Sequence, residues 1–280
     1  MKFIYITPFR EEDFFSDVKR GMNDAAALLG VTACFTGTHG ADYDALAAMI
    51  EAAAEQGYDG IAVSMPRSGE LDAAVHRVRE KGTPVISFNI DNPSSARMAC
   101  VCQDFYRAGM RLGELVYDRL PRGAHVLITM HDAGVSALDE RAQGIIDAIS
   151  SKRSDLQFKS IVSGNTPELA RTTIAAELES DFKPAAILCT GQSDTHGAGS
   201  ACFSRKDVLI AGFDVCDEIL RMIDAGIIAF TIDQQPYVQG FYPLLMMVQH
   251  ITQGIKPFDI DTGCDIIEKP APACQRQPEQ

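Results

Sequence analysis

The sequence contains no tryptophan, and none of its apolar runs reaches the ~18–20 residues that a bilayer-spanning helix needs. It also has no surplus of positive charge: 25 Lys and Arg face 38 Asp and Glu, for a net charge of −13. Such a chain repels phosphate backbones and anionic membranes, which excludes nucleic acid as a partner. The short signatures of common catalysis are missing too, with no HExxH, no P-loop and no GxSxG elbow. GAGSAC at 197–202 lacks GxGxxG spacing and lies in a helical stretch. Met1 leads straight into a strand-like run without a charged n-region or an apolar h-region, so the expectation is either a cytoplasmic protein or an exported one whose leader is not part of this sequence.

Eight cysteines are present, but they follow no disulfide framework and no C-x2-C metal spacing. Cys189 ends an apolar run, Cys202 and Cys216 fall in helical stretches, and Cys274 lies in the tail, where little order is expected. Cys100 and Cys102 form a C-x-C that an extended strand would turn to one face. They read as small buried hydrophobes, and no metal or cofactor is expected. Their number leans towards a reducing compartment.

With 280 residues and 46% hydrophobic content, the chain has enough apolar material for one large or two moderate domains. Strand-like and helix-like runs alternate almost throughout. Lys2–Thr7 is apolar and β-branched, and Phe15, Val18, Met22, Ala25 and Leu29 then follow at helical spacing, with Asp13 as the expected N-cap. Strands are expected at 31–35, 60–64, 85–88 and 99–103, with helices at 43–56, about 70–81 and 104–119; Gly57 and Gly82 stand where helices end. PRG at 121–123 breaks the chain, and the alternation restarts. Strands follow at 125–130, 158–162, 185–189, 208–213 and 227–232. Ser136 and Asp139 suggest a capping box for one intervening helix, and Thr166–Pro167 suggest the start of another. A last helix begins near Pro236 and carries Pro243 inside it, where a bend is expected; a short strand at about 264–268 closes the pattern. The fold class is therefore α/β, with two βαβ lobes built on doubly wound parallel sheets. The final helix follows the completed second lobe, so packing it on the first would open a cleft between them.

Ligands of open α/β sheets gather beyond the carboxyl ends of the strands. Polar residues recur there: Asn89 and Asp91, Gln192, Asp214 and Gln234, with Arg141 early in a helix and Asn165 just before one. Phe9, Phe14 and Phe15 fill the turn after the first strand, although Phe15 also fits the helical period. Carboxylates, amides, a guanidinium and aromatic faces together suit a polyhydroxylated ligand, whose hydroxyls need donors and acceptors. Each residue alone has a structural reading as a turn former or cap; their recurrence after successive strands favours a site. His131–Asp132 reads as a loop contact, since adjacent side chains seldom converge on one substrate. Cys189 has no evident base to make it a nucleophile.

PF…FF after the first strand, VISFNID at 85–91, RxxG at 141–144, AGFD at 211–214 and TIDQQP at 231–236 occur in that order. In this the chain resembles the periplasmic sugar-binding proteins of the ribose and galactose type over residues 2–268. The resemblance implies a type I periplasmic binding protein fold: two Rossmann-like lobes joined by three hinge crossovers, here near residues 103, 234 and 262. The lobes would be 1–103 plus 235–261 and 104–234 plus 262–280. It implies a non-enzymatic, monomeric periplasmic protein that holds a small sugar or polyol and delivers it to an ABC transporter permease. Phe9, Phe14 and Phe15 would stack on the ligand, Arg141 would grip its oxygens, and Asn89, Asp214 and Gln234 would make polar contacts. Met65–Pro66, Asn89–Ile90 and Thr190–Gly191–Gln192 depart from the ribose pattern, and the lack of tryptophan departs from the galactose one, so the sugar stays unassigned. The alternative is an intracellular ligand sensor or a small-molecule enzyme on the same fold. A lactose-repressor-type regulator is disfavoured, because no helix-turn-helix precedes the first strand.

Overall fold

The structure is a computed structural model and describes residues 1–8, 10–11 and 13–270; Phe9, Cys274 and the rest of the tail lie outside the described residues. The backbone packs into two units. One comprises Met1–Ala108, Gly134–Arg141 and Gln234–Cys264; the other comprises Gly109–Ala133, Ala142–Asp233 and the described residues from Asp265 on. Residues 134–141, which by chain order go with the second lobe, pack with the first unit.

The first unit holds β1 (Lys2–Thr7), α1 (Phe15–Leu29), β2 (Thr32–Gly37), α2 (Tyr43–Glu55), β3 (Gly60–Val63), α3 (Gly69–Glu80), β4 (Val85–Phe88) and β5 (Ala99–Cys102). From there α4 (Phe105–Val116) leads into the second unit, with β6 (His125–Met130), α5 (Ser136–Ser150, which packs with the first unit up to Arg141), β7 (Gln157–Val162), α6 (Pro167–Leu178) and β8 (Ala186–Cys189). It continues through α7 (Gln192–Ala201), β9 (Leu209–Phe213), α8 (Asp217–Asp224) and β10 (Phe230–Asp233). The chain then returns to the first unit with α9 (Pro236–Gln253) and β11 (Ile260–Asp261), and ends in the second with β12 (Asp265–Glu268).

Each unit is built on a six-stranded sheet, in the orders β11-β5-β4-β3-β1-β2 and β12-β10-β9-β8-β6-β7. Every pairing is parallel except β10 with β12, so the sheets are the doubly wound kind that the alternation of elements demands. β3, β4, β5 and β8 are buried along their whole length, which explains why they read as continuous apolar runs. β11 went unread because two residues are too few to show a period.

The core of the first unit is aromatic. Phe3, Tyr5, Phe15 and Phe88 are all at most 1% exposed and pack under α1 and α9. Burying each contributes roughly 1.5–3 kcal/mol. α9 reaches this core because two glycines let helices touch: a Cβ at Gly21 would collide with the Tyr237 carbonyl, and one at Gly240 with the Val18 carbonyl. Tyr5 Oη donates to the Gly240 carbonyl at 2.6 Å, which fixes the approach. α9 continues through Pro243 without interruption. In the second unit one face of the sheet is packed with aliphatic residues, among them Leu127, Ile174, Ile187, Ile210 and Ile219.

Some caps differ from expectation. Phe14, not Asp13, is the N-cap of α1, and no side chain caps it; Asp13 contributes only its carbonyl, to Ser16 N–H. Ser136 is the first helical residue of α5, because the Val135 carbonyl already accepts from Leu138 and Asp139. Thr166 does cap α6, accepting from Leu169 N–H, with Pro167 in the first turn. Gly57 follows α2 at φ 70°, a left-handed conformation that glycine adopts without strain.

Candidate ligand-binding site

Four described residues other than glycine have positive φ: Asn89 at 62°, Lys183 at 42°, Asp214 at 70° and Gln235 at 55°. Two of these are expected site residues and a third adjoins Gln234. Asn and Asp tolerate the left-handed region better than other non-glycine side chains, for which it costs about 1–2 kcal/mol. Strain of this kind is held where a side chain must be aimed.

Asn89 and Asp214 occupy equivalent places. Each follows a phenylalanine that closes the fourth strand in its lobe's chain order, β4 or β9. Each amide then donates to the neighbouring strand: Asn89 N–H to Val101 O at 3.3 Å, and Asp214 N–H to Ile232 O at 2.9 Å. The left-handed turn keeps this bond while swinging the side chain out beyond the sheet. Asn89 Oδ1 accepts from the Ser64 hydroxyl at 3.3 Å, and the Asp214 carbonyl accepts from Thr231 Oγ1 at 2.8 Å. Asp214 is 6% exposed.

Arg141, only 2% exposed, is the most firmly mounted of the set. Gln103 Oε1 accepts from its Nη2 at 2.7 Å and from its Nε at 3.2 Å, and its guanidinium lies 5.1 Å from the centre of the Phe105 ring. Gln103 is in turn fixed by donating to Gly263 O at 2.8 Å. Gln103 was not singled out in the sequence, yet it stands directly after β5, where the rule about strand ends would have found it. Phe105 packs with Ile90, Val135 and Ala137 in a small cluster beneath the guanidinium. Next to Arg141, Glu140 pairs with Arg67 at 2.7 Å; burial raises its pKa, and Arg67 opposes the rise.

The remaining expected residues separate by environment. Gln234 is 3% exposed; its carbonyl and Oε1 accept from Gln239 Nε2 at 2.9 and 3.1 Å. Phe14 is half-buried and meets Phe15 edge-on, with ring centres 5.2 Å apart. Phe15 is 1% exposed in the core against Phe35 and Phe88, as its helical period requires. Asp91 is engaged by Arg97 through both carboxylate oxygens, at 2.7 Å each, and by the Ser87 hydroxyl. In the second unit Gln192 donates to Val215 O at 3.0 Å, and Asn165 is exposed, its carbonyl accepting from Ser193 Oγ at 3.2 Å.

Another residue the sequence did not reveal is Asp194, fully buried at the start of α7. It accepts from Thr129 Oγ1 and Thr190 N–H at 2.8 Å and from Gly191 N–H at 3.0 Å, which shapes the turn that carries Gln192. Burial raises its pKa; His131, nearby, works in the opposite direction. Asp132 instead accepts from Ala133 N–H at 2.8 Å, while His131 lies near Asp194. Cys189 donates to the Asp194 carbonyl at 3.4 Å, and burial pushes its thiol pKa well up, away from nucleophilic use.

The family model described as periplasmic binding protein domain matches residues 3–256. The chain belongs to this family. Among its relatives is the xylose/arabinose-binding protein XylF of Sulfolobus acidocaldarius, 25% identical, with the match covering 95% of this chain and 70% of that protein. GanP, a glucose-galactose binding protein from Geobacillus stearothermophilus, superimposes with a TM-score of 0.84 at 26% identity, over 95% of this chain and 97% of that one. A carbohydrate transporter protein from Acidothermus cellulolyticus, solved in complex with myo-inositol, gives a TM-score of 0.85 at 26% identity, over 96% and 94%. Among the described residues no helix is long and apolar enough to cross a membrane.

Proposed function

We propose that the protein is a non-enzymatic solute-binding component that takes up a small sugar or polyol and passes it to an ABC transporter permease outside the cytoplasmic membrane. The observation that supports this reading is the pair of left-handed turns at Asn89 and Asp214, set at equivalent strand ends of the two units, together with a buried, pre-oriented Arg141. An amide, a carboxylate and a guanidinium offer donors and acceptors together, which is what a ring of hydroxyls needs. Relatives named for pentoses, hexoses and myo-inositol support the ligand class and leave its member open. The binding residues in this reading are Phe14, Asn89, Arg141, Asp214 and Gln234. Gln192 and Asn165 lie at strand ends of the second unit, and in the first unit Phe15 and Asp91 act through their neighbours, Phe14 and Ser87.

The test is a thermal-shift screen of the purified protein against aldopentoses, aldohexoses, sugar alcohols and cyclitols, followed by calorimetric titration of the hits. A ligand that binds the folded state raises the melting temperature by mass action. At least one sugar or polyol should do so with one-to-one stoichiometry. Silence across the panel, with a hit from another chemical class, would overturn the reading.

A further inference from the structure

Cys100 and Cys102 stand two residues apart on β5, so both side chains leave the same face of the sheet. Ala99 and Val101 take the other face and join the aromatic core. The two sulfurs are 3.6 Å apart, and each cysteine is 8% exposed. One strand over, the chain leaving β4 curls back and brings Asp91 to the pair. One carboxylate oxygen and the two sulfurs all lie within 4.8 Å of one another. Arg97 grips Asp91 and is braced from its other side by Asp259, which accepts from Arg97 Nη1 at 2.8 Å and from Cys100 N–H at 2.9 Å.

Two neighbouring thiols can close a disulfide or ligate one metal together. Residues i and i+2 of an extended strand sit ~6.6 Å apart at Cα, close to the ~6.8 Å limit for a disulfide. Both rungs are also locked into the ladder, Cys100 opposite Ser87 and Cys102 opposite Asp261. Bringing the sulfurs into bonding distance would buckle β5 between two partners. Two thiolates ~2.3 Å from a tetrahedral zinc, in contrast, are ~3.8 Å apart. The pair already stands at nearly that spacing.

We infer that Cys100, Cys102 and Asp91 form a zinc site, with water completing the tetrahedron. Sequence spacing alone hid it, because the third ligand comes from the adjacent strand's loop. Arg97 orients the carboxylate from outside the coordination sphere, the kind of support that metal-binding carboxylates depend on. Two thiolates, Asp91 and Asp259 then face Zn2+ and Arg97, so the cluster carries one net negative charge. The metal would fasten the 91–97 loop to the end of β5, immediately before Gln103.

The test is calorimetric titration of reduced, chelator-treated protein with zinc chloride, and with cobalt(II) chloride as an optical probe. A Cys34→Ser/Cys274→Ser background removes an exposed thiol and the tail thiol. One equivalent of zinc should bind, and cobalt should give a thiolate-to-metal charge-transfer band. Cys100→Ser/Cys102→Ser should weaken zinc binding at least a hundredfold and abolish the band; Asp91→Asn should weaken it at least tenfold. Should the double variant fail to fold, Cys102→Ala alone serves, with the same loss of the band. Zinc binding unchanged in these variants, or cobalt binding without the band, would overturn the assignment.

Discussion

The two units solve one backbone problem twice and then diverge in chemistry. After β4 and after β9 a phenylalanine closes the strand, a polar residue turns left-handed, and its amide stays in the ladder. One unit places a neutral amide there, the other a carboxylate. Behind Phe88 lie the rings of Tyr5, Phe15 and Phe35, at 5.3, 6.4 and 6.3 Å, whereas one face of the second sheet is aliphatic. The turn is thus the common device, and the side chain it aims is where the units differ. In the proposed reading that difference would suit a hydroxyl-rich ligand, because asparagine both donates and accepts while aspartate accepts strongly.

The largest effect should come from the phenylalanines that anchor the turns. Phe88 and Phe213 are both fully buried, and truncating either to alanine should cost about 3–5 kcal/mol in urea unfolding. Equal losses would mean that the anchors are equivalent. A much smaller loss at Phe213 would mean that the second unit relaxes around the gap. Next comes the exchange of chemistries. Asp214→Asn keeps the left-handed turn but removes the charge, and should weaken sugar binding by about 1.5–3 kcal/mol, the worth of a charge-assisted hydrogen bond. Asn89→Asp should lose a smaller amount, as it forfeits only a donor. If calorimetry shows the reverse order, the carboxylate is not the stronger contact.

A smaller effect tests the backbone. Asn89→Ala and Asp214→Ala should each lose about 1–2 kcal/mol of stability, because a Cβ without a polar group suffers in the left-handed region. The glycine variants should lose less than the alanine ones, since glycine adopts that conformation freely. Alanine as stable as glycine at either site would show that the turn relaxes and is not held.

Much of this was legible in the sequence, for definable reasons. β4 and the helix α1 were readable because buried parallel strands are continuous apolar runs and an amphipathic helix repeats every 3.6 residues. Asn89 and Asp214 were readable as strand-end residues because they directly follow the apolar runs of β4 and β9, and Arg141 as an early residue of the helix after β6. The caps at Asp13 and Ser136 misled because both residue types favour several positions around a helix start, and the backbone chose Phe14 and Val135. Gln103 was open to the strand-end rule, but its partners Arg141 and Gly263 lie far along the chain, as Thr129 does from Asp194 and Asp259 from Arg97, and spacing along one chain does not display such contacts.

The subtlest difference between the units lies one strand further in. After β3 the chain runs Ser64–Met65–Pro66–Arg67–Ser68, with no carboxyl and its one charged residue exposed; after β8, the equivalent strand, it carries the buried Asp194. Burial raises that carboxyl above its ordinary pKa. A carboxyl raised on folding binds its proton more tightly in the folded state. Its stabilising contribution is therefore complete below the ordinary carboxylate pKa and is lost as pH rises through the raised one. Asp194→Asn removes the titration. It will lower stability at every pH, because an amide cannot accept from both Thr190 N–H and Gly191 N–H as the carboxylate does. The discriminating quantity is the slope: urea-unfolding free energy should fall less steeply with rising pH in Asp194→Asn than in the unaltered protein. Parallel slopes would show that the two backbone amides, Thr129 and nearby His131 already hold the carboxylate charged at no cost, and that the second unit is no more pH-sensitive here than the first.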